Sequence, residues 1–333
     1  MFYSFIIPVF NRPDETQELL QSFEALETDI SFEIVIIEDG STIPSKSVVD
    51  TFKDKLDITY YSKENSGPGD SRNFGMRHAK GDYFIILDSD CILPKEYLNK
   101  VDKSLKKEYV DCFGGPDAAS ESFTNLQKAI NFSMTSFITT GGIRGNKKSV
   151  GKFQPRSFNM GISKEAFEAS KGFGTIHPGE DPDLSIRLWD LGFKTKLIPE
   201  AWIYHKRRIS WKKFYTQVNK FGLVRPILNK WHPSTAKVTY WFPTLFMLGF
   251  ITSLILLLLN FKWLLICYAV YFLIAFMAAL TSSKSLSVSI LSIMAIAVQF
   301  SGYGYGFLKS TISVGLLNKD PEKEFPSLFF KSK

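Results

Sequence analysis

The 333 residues carry a net charge of +7 that is unevenly spread: residues 201–240 hold nine basic side chains and no acidic one, leaving the rest of the chain at about −2. Basic residues that lead into apolar runs match the cytoplasmic flank of a membrane protein, where each gains roughly 1 kcal/mol from anionic lipid, so nucleic acid is excluded as the expected partner. The three cysteines, Cys91, Cys112 and Cys267, lack paired or metal-type spacing, which excludes a disulfide framework and suits a reducing compartment.

Met1-Phe2-Tyr3-Ser4 runs straight into a strand-like segment. No basic stretch, short apolar core and small-residue cleavage site precede it, so export of the first domain is not expected. Strand-like residues 3–8, a helix from Asp14, a strand at 32–37, a second helix and a strand at 58–61 set up a βαβ rhythm. A helix at 71–79 and a wholly apolar strand at 83–87 continue it. This predicts a Rossmann-like α/β domain, a doubly wound and mostly parallel sheet with helices on both faces. After Pro116 the rhythm loosens, and residues 117–180 read as glycine-containing polar loops of the kind that build the acceptor side of a site. A helix at 181–191, stopped by Gly192, and a strand at 194–198 restore order.

From Trp211, the residues Trp211, Phe214, Tyr215, Val218 and Phe221 recur at helical spacing with lysines between them, until Pro226 ends the pattern. A helix in the membrane interface is expected, with an ordinary core-facing amphipathic helix as the alternative. Two apolar runs of 19 residues follow, 241–259 and 263–281. Each is about 28 Å long as a helix, enough to span the hydrocarbon, and together they predict a hairpin. The third run, 286–308, contains four serines, Gln299 and three glycines, and either spans or lies partly in the interface. The tail lysines, Lys309, Lys319, Lys323, Lys331 and Lys333, favour the cytoplasm, so two and three spans both stay open. The expected division is a catalytic domain at 1–205, a basic amphipathic interface segment at 206–235, a transmembrane region at 241–308 and a tail at 309–333.

The strongest chemical signal is Ile85-Ile86-Leu87-Asp88-Ser89-Asp90, an apolar strand delivering two carboxylates at its end. Hard carboxylate oxygens there suit Mn²⁺ or Mg²⁺, which neutralises a departing diphosphate without proton transfer. In an open sheet such groups lie at the carboxyl edge. Glu38-Asp39-Gly40-Ser41 ends the strand at 32–37 in a tight turn, either to bind a ribose or base edge or to cap the next helix. In Asn65-Ser66-Gly67-Pro68-Gly69-Asp70-Ser71-Arg72-Asn73-Phe74-Gly75 the glycines let backbone approach a ligand and Arg72 is available to a nucleotide, whereas Asp70 or Ser71 has helix capping as its simpler role.

Together with Ser4-Phe5-Ile6-Ile7-Pro8-Val9-Phe10-Asn11, these segments closely resemble, in order and spacing, the family 2 glycosyltransferases of the GT-A fold. Phe158-Asn159-Met160-Gly161 and Gly179-Glu180-Asp181-Pro182-Asp183-Leu184 look like that family's acceptor-loop and Glu-Asp motifs, extending the resemblance over roughly residues 2–220. The resemblance implies that Pro8, Asn11 and Asp39 contact the nucleoside, that Arg72 lies near base or ribose, and that Asp88 and Ser89 bind the donor. It implies that Asp90 ligates the metal with His205 completing the coordination. Asn159, Met160, Gly161 and Glu180 would line the acceptor, and Asp181 would be the general base. Glu38 stands where the family usually has aspartate, and the second carboxylate is retained.

The implied reaction is inverting, metal-dependent transfer from a UDP- or GDP-sugar to a hydroxyl of a lipid-linked or glycan acceptor. It would take place at the cytoplasmic face of a bacterial inner membrane in envelope polysaccharide or glycolipid synthesis. Transfer to a polyprenyl phosphate is the alternative enzyme, and a nucleotide-sugar-binding pseudoenzyme scaffold the alternative class. His177 lies close enough to the Glu-Asp motif to touch a substrate.

Overall fold

The computed structural model describes residues 1–118, 123–140, 152–205 and 210–330. Its contacts divide the chain into two compact units, Met1–Ser120 with Val150–Arg207 and Phe329–Lys333, and Glu121–Ser149 with Arg208–Leu328. The units therefore do not follow the single boundary expected at residue 205. A helix-forming stretch inside the first domain joins the second unit, and the end of the chain returns to the first.

In the first unit, β1 (Tyr3–Val9), β2 (Phe32–Asp39), β3 (Ile58–Lys63) and β4 (Tyr83–Leu87) pair in parallel. The seven-stranded sheet runs β3-β2-β1-β4, then β8 (Asn159–Ser163), β6 (Cys112–Gly114) and β9 (Thr195–Leu197). β8 is antiparallel to both neighbours. Both faces are covered, which is why β1 and β4 are apolar at nearly every position. Phe5, Ile7 and Val9 pack with Leu19 and Phe23 of α1 (Pro13–Glu24) and with Tyr97 and Val101 of α4 (Tyr97–Lys107). The intervening Ile6 packs the other way, with Ile86, with Met76 of α3 (Pro68–His78) and with Leu184 and Leu188 of α8 (Glu180–Asp190). Each such fully buried side chain contributes roughly 1.5–3 kcal/mol, and a one-residue slip of β1 would exchange the two sets.

From β1 the chain first winds outward through β2 and β3 and then returns to the opposite side of β1 to form β4. The strand order thus reverses between β1 and β4, and ligands of open α/β sheets bind beyond the carboxyl ends at such a point. A second, three-stranded sheet sets β10 (Ile203–His205) between β5 (Cys91–Ile92) and β7 (Asp117–Ala118).

The second unit is helical. Part of the stretch expected to be loop forms α5 (Asn125–Thr135), started by a capping box in which Thr124 and Gln127 satisfy each other's backbone N–H groups. The helix from Trp211 does not stop at Pro226: α9 runs Trp211–Trp231 with the proline inside it. Pro226 supplies no N–H to the carbonyl one turn earlier, a loss tertiary packing offsets, since Ile227 and Leu228 beside it are fully buried. Phe214 and Val218 pack with Ile130 and Met134 of α5 and with Ala295 of α12 (Leu286–Ser310), while Tyr215 stays exposed. The apolar stripe of α9 thus faces protein, the core-facing alternative, rather than lipid.

Three helical stretches are long and apolar enough to cross a membrane: Val238–Leu258, Trp263–Ser283 and Leu286–Leu316, which contain α10 (Phe242–Leu258), α11 (Trp263–Ser283) and α12. Their mean hydropathies are 2.1, 2.3 and 1.6, and the third is 39% buried within the protein against 11% for each of the others. The basic residues at 206–209 lie outside the described residues.

Candidate active site

Asp88, Ser89 and Asp90 follow β4 directly, so an apolar strand delivers them to the carboxyl edge. Asp90 Oδ2 accepts a hydrogen bond from the guanidinium of Arg12, which stands just beyond β1. Arg12 belongs to none of the sequence motifs, although a cation three residues after the last residue of a parallel strand is placed to reach the neighbouring strand's carboxylate. Asp88 Oδ1 accepts from Arg72 Nη2 at 2.9 Å.

Arg72 is 4% exposed and reaches in two directions, to Asp88 and, through Nη1 at 3.3 Å, to Glu180 Oε1. Its guanidinium lies 5.4 Å from the ring centre of Phe173. The arginine therefore joins the metal-type motif after β4 to the first turn of α8. Burying a guanidinium costs several kcal/mol unless carboxylates surround it, and here Asp88 and Glu180 do so.

Glu180 and Asp181 open α8, where the helix N-terminus favours negative charge. Burial would raise the pKa of Glu180, but the hydrogen bond from His177 Nδ1 at 2.9 Å and the charges of His177 and Arg72 outweigh it and hold the carboxyl below its usual range. Asp181 goes the other way. Burial, and then the charge of Glu180, push it up to about 6. Its Oδ2 accepts from the Ser157 N–H at 3.2 Å, and its buried Oδ1 has no hydrogen-bond partner among the described residues. A buried carboxylate with one unengaged oxygen and a pKa near neutrality has the properties of a general base.

Other expected site residues lie at or just beyond the ends of β1, β2 and β4. Asn11 Oδ1 accepts from Thr42 N at 2.8 Å, Thr42 Oγ1 at 3.0 Å and Ile43 N at 2.9 Å, so it closes the turn after β2. Asp39 does not cap the next helix. It accepts from Lys63 Nζ at 2.6 Å and from the N–H groups of Ser66 and Gly67, both at 3.0 Å, fixing the glycine-rich segment. Pro8 lies in β1 opposite Ile37, and Ser89 is buried beside the two aspartates. The Glu38 departure has a local reason: its side chain reaches Ser45 N at 2.7 Å and Tyr60 OH at 2.9 Å.

Asn159, Met160 and Gly161, expected on the acceptor side, are enclosed by neighbouring strands. Asn159 is fully buried, its amide accepting from Tyr97 OH at 2.6 Å and donating to Ala201 O at 2.7 Å. Met160 is a core residue, and a Cβ at Gly161 would come within 2.0 Å of the Phe113 ring. Glu180, 5% exposed, is held by Arg72 and His177.

Among the described residues no three His, Cys, Asp or Glu side chains form a ready metal cluster. The side chain of His205 lies outside the described residues. Its backbone pairs with Cys91, one residue beyond Asp90. At Asp90 a guanidinium provides the positive charge that a divalent cation would supply, and the oxygen donors suit a hard ion. The residues present are compatible with such a metal.

The mostly parallel sheet, with Asp88 and Asp90 following β4 at its carboxyl edge, defines a GT-A protein. Residues 4–170, half of the chain, match the description of glycosyl transferase family 2, and the chain belongs to that family. A stretch of 103 residues is 39% identical to an uncharacterized glycosyltransferase of Rickettsia felis, covering 31% of this chain and 16% of that protein. Another of 114 residues is 29% identical to the poly(ribitol-phosphate) beta-N-acetylglucosaminyltransferase TarS of Staphylococcus aureus, covering 33% and 20%. The chain thus spans only 16% and 20% of the lengths of these relatives. Among solved structures, the mannosyltransferase PcManGT from Pyrobaculum calidifontis, in complex with GDP-Man and Mn²⁺, shares the fold. Its TM-score is 0.56 at 17% identity, over 96% of this chain and 88% of that one.

Proposed function

We propose that the protein is an inverting glycosyltransferase that moves a sugar from a UDP- or GDP-sugar to a hydroxyl of a lipid-linked or glycan acceptor, at the cytoplasmic face of a bacterial inner membrane. The observation that carries the reading is the convergence on Arg72 of Asp88, from the end of β4, and Glu180, from the start of α8. It links a donor-side carboxylate motif to a candidate base. Asp181 removes the acceptor proton as the acceptor oxygen attacks the anomeric carbon, and the nucleoside diphosphate departs from the opposite face. Asp181 needs no partner other than solvent to discharge that proton afterwards. Arg12 lies where a positive charge can face the departing diphosphate.

A divalent cation, Mn²⁺ or Mg²⁺, held by Asp90 and His205 with Asp88 in its water shell, would supply electrostatic stabilisation of the leaving group when bound. The Mn²⁺ complex of PcManGT supports this reading. GDP-Man in that complex, and UDP-GlcNAc in a complex of TarS, support a nucleotide-sugar donor. The three long apolar helices and the basic segment before them support a membrane location.

The test is nucleoside diphosphate release from a panel of nucleotide sugars, with Mn²⁺ and with EDTA. Metal-dependent release from one donor is expected, and no release from any of them would overturn the proposal.

A further inference from the structure

The residues between α7 (Lys164–Ser170) and α8 lead directly into the Glu180-Asp181 pair. On one side this loop is held by Asn73, whose amide both donates to and accepts from the backbone of Phe173 at 2.8 Å. On the other it is held by the end of the chain. Ile176 forms an antiparallel bridge with Phe329, and Phe330 N donates to Thr175 O at 2.9 Å. Chain ends fray unless something ties them, and here the tie combines backbone pairing with a ring contact.

The ring of Phe330 lies against Gly67, so close that a Cβ there would meet its carbons at 2.3–2.5 Å. Gly67 also has φ +92°, so glycine is required for conformation and for approach alike. The same ring faces His177, with centroids 5.9 Å apart. His177 in turn is bonded to Glu180. The chain's last aromatic residue therefore fills the space between the glycine-rich turn and the histidine that supports the first turn of α8.

We infer that Phe330 is a positioning residue for the transfer reaction: its ring and the Phe329 bridge hold the 173–179 loop, keeping His177 on Glu180 and Asp181 in its working position. The inference rests on the reading of Asp181 as the base. It makes turnover depend on a tail that follows the apolar helices, a dependence that no motif in the first 220 residues announces.

The test uses the full-length protein in lipid nanodiscs, comparing wild type, Phe330→Ala and Phe330→Tyr. Turnover and donor KM are measured with the nucleotide sugar found in the panel, and hydrogen exchange is followed in residues 173–179. Phe330→Ala is expected to lower kcat about ten- to a hundredfold with little change in donor KM, since a displaced catalytic group affects the transition state and not ground-state binding. Exchange of the loop should accelerate in the same variant, and Phe330→Tyr should restore both readouts. Wild-type kcat in Phe330→Ala, a change confined to KM, or loop exchange equal to wild type would each overturn the inference. Should no donor be turned over by wild type, the proposed reaction fails instead, and the exchange arm still decides whether Phe330 holds the loop.

Discussion

Glu180 and Asp181 are consecutive residues whose carboxyl groups are driven in opposite directions, the first downward by His177 and Arg72 acting against its burial, the second up to about 6 by burial and by the charge of the first. A separation of this kind within one site assigns roles: the ionised neighbour is a fixed charge, and the raised group exchanges protons near neutrality. Turnover should therefore rise with pH through an ionisation near 6 and level off above it. A kcat–pH profile from 4.5 to 8.5 checks this, and a flat profile over that range would count against Asp181 as the base.

Asp181→Asn separates stability from activity. Because the folded-state pKa lies above the ordinary carboxylate value, ionised Asp181 opposes folding: its favourable contribution is complete at acidic pH and is lost as pH rises through about 6. The amide should thus be no less stable than wild type at pH 8, with a gain of about 1–3 kcal/mol as the upper range, and should lose about 10²–10⁴-fold in kcat. Thermal unfolding and product formation measured on one preparation test both halves. Full activity in the variant would point to an acceptor that is already ionised, such as a polyprenyl phosphate.

Arg72→Met removes the cation between Asp88 and Glu180 and leaves buried carboxylate charge uncompensated. A loss of about 3–5 kcal/mol is expected. Chemical denaturation of the variant, compared with the exposed-surface control Lys53→Met, measures it.

Arg12 and a divalent cation would compete for Asp90. Arg12→Ala should bind Mn²⁺ more tightly than wild type in the absence of donor, read by Mn²⁺ electron paramagnetic resonance, while its KM for the nucleotide sugar rises. Unchanged Mn²⁺ affinity would show that the pair does not guard that carboxylate.

Asn159→Ala tests the buried hydrogen bonds of β8. Two buried hydrogen-bond partners, Tyr97 OH and Ala201 O, lose their counterpart. A destabilisation of about 1–3 kcal/mol per unsatisfied group is expected, with the acceptor KM unaltered. Urea unfolding and acceptor titration separate the two effects.

The sheet was legible because β1, β2 and β4 are apolar on both faces, and only a doubly covered parallel sheet buries such strands completely. The positions of Asp88 and Asp90 after a strand and of Asp181 in the first turn of a helix were legible because strand ends and helix starts are visible as changes of pattern. Arg12 and Phe330 were not, since each gains its meaning from a partner distant in sequence. The burial of Asn159 and Met160 was not legible for a related reason: it comes from neighbouring strands that enclose them. Pro226 misleads because a proline's local penalty says nothing about the packing that overcomes it.

The Ile176–Phe329 bridge also bears on how often the backbone traverses a bilayer. A chain that departs from one compartment and rejoins a partner strand in that same compartment makes an even number of passages, so the bridge predicts two crossings instead of three. On that prediction the helix expected not to cross is Leu286–Leu316, which has the lowest mean hydropathy and the largest protein-covered share. Cysteines placed at Lys284 and Asn318 should then react with an impermeant maleimide from the catalytic side, and one at Asn260 only from the opposite side. Labelling of Asn318 from the side of Asn260 would mean that the tail cannot reach the loop it is paired with.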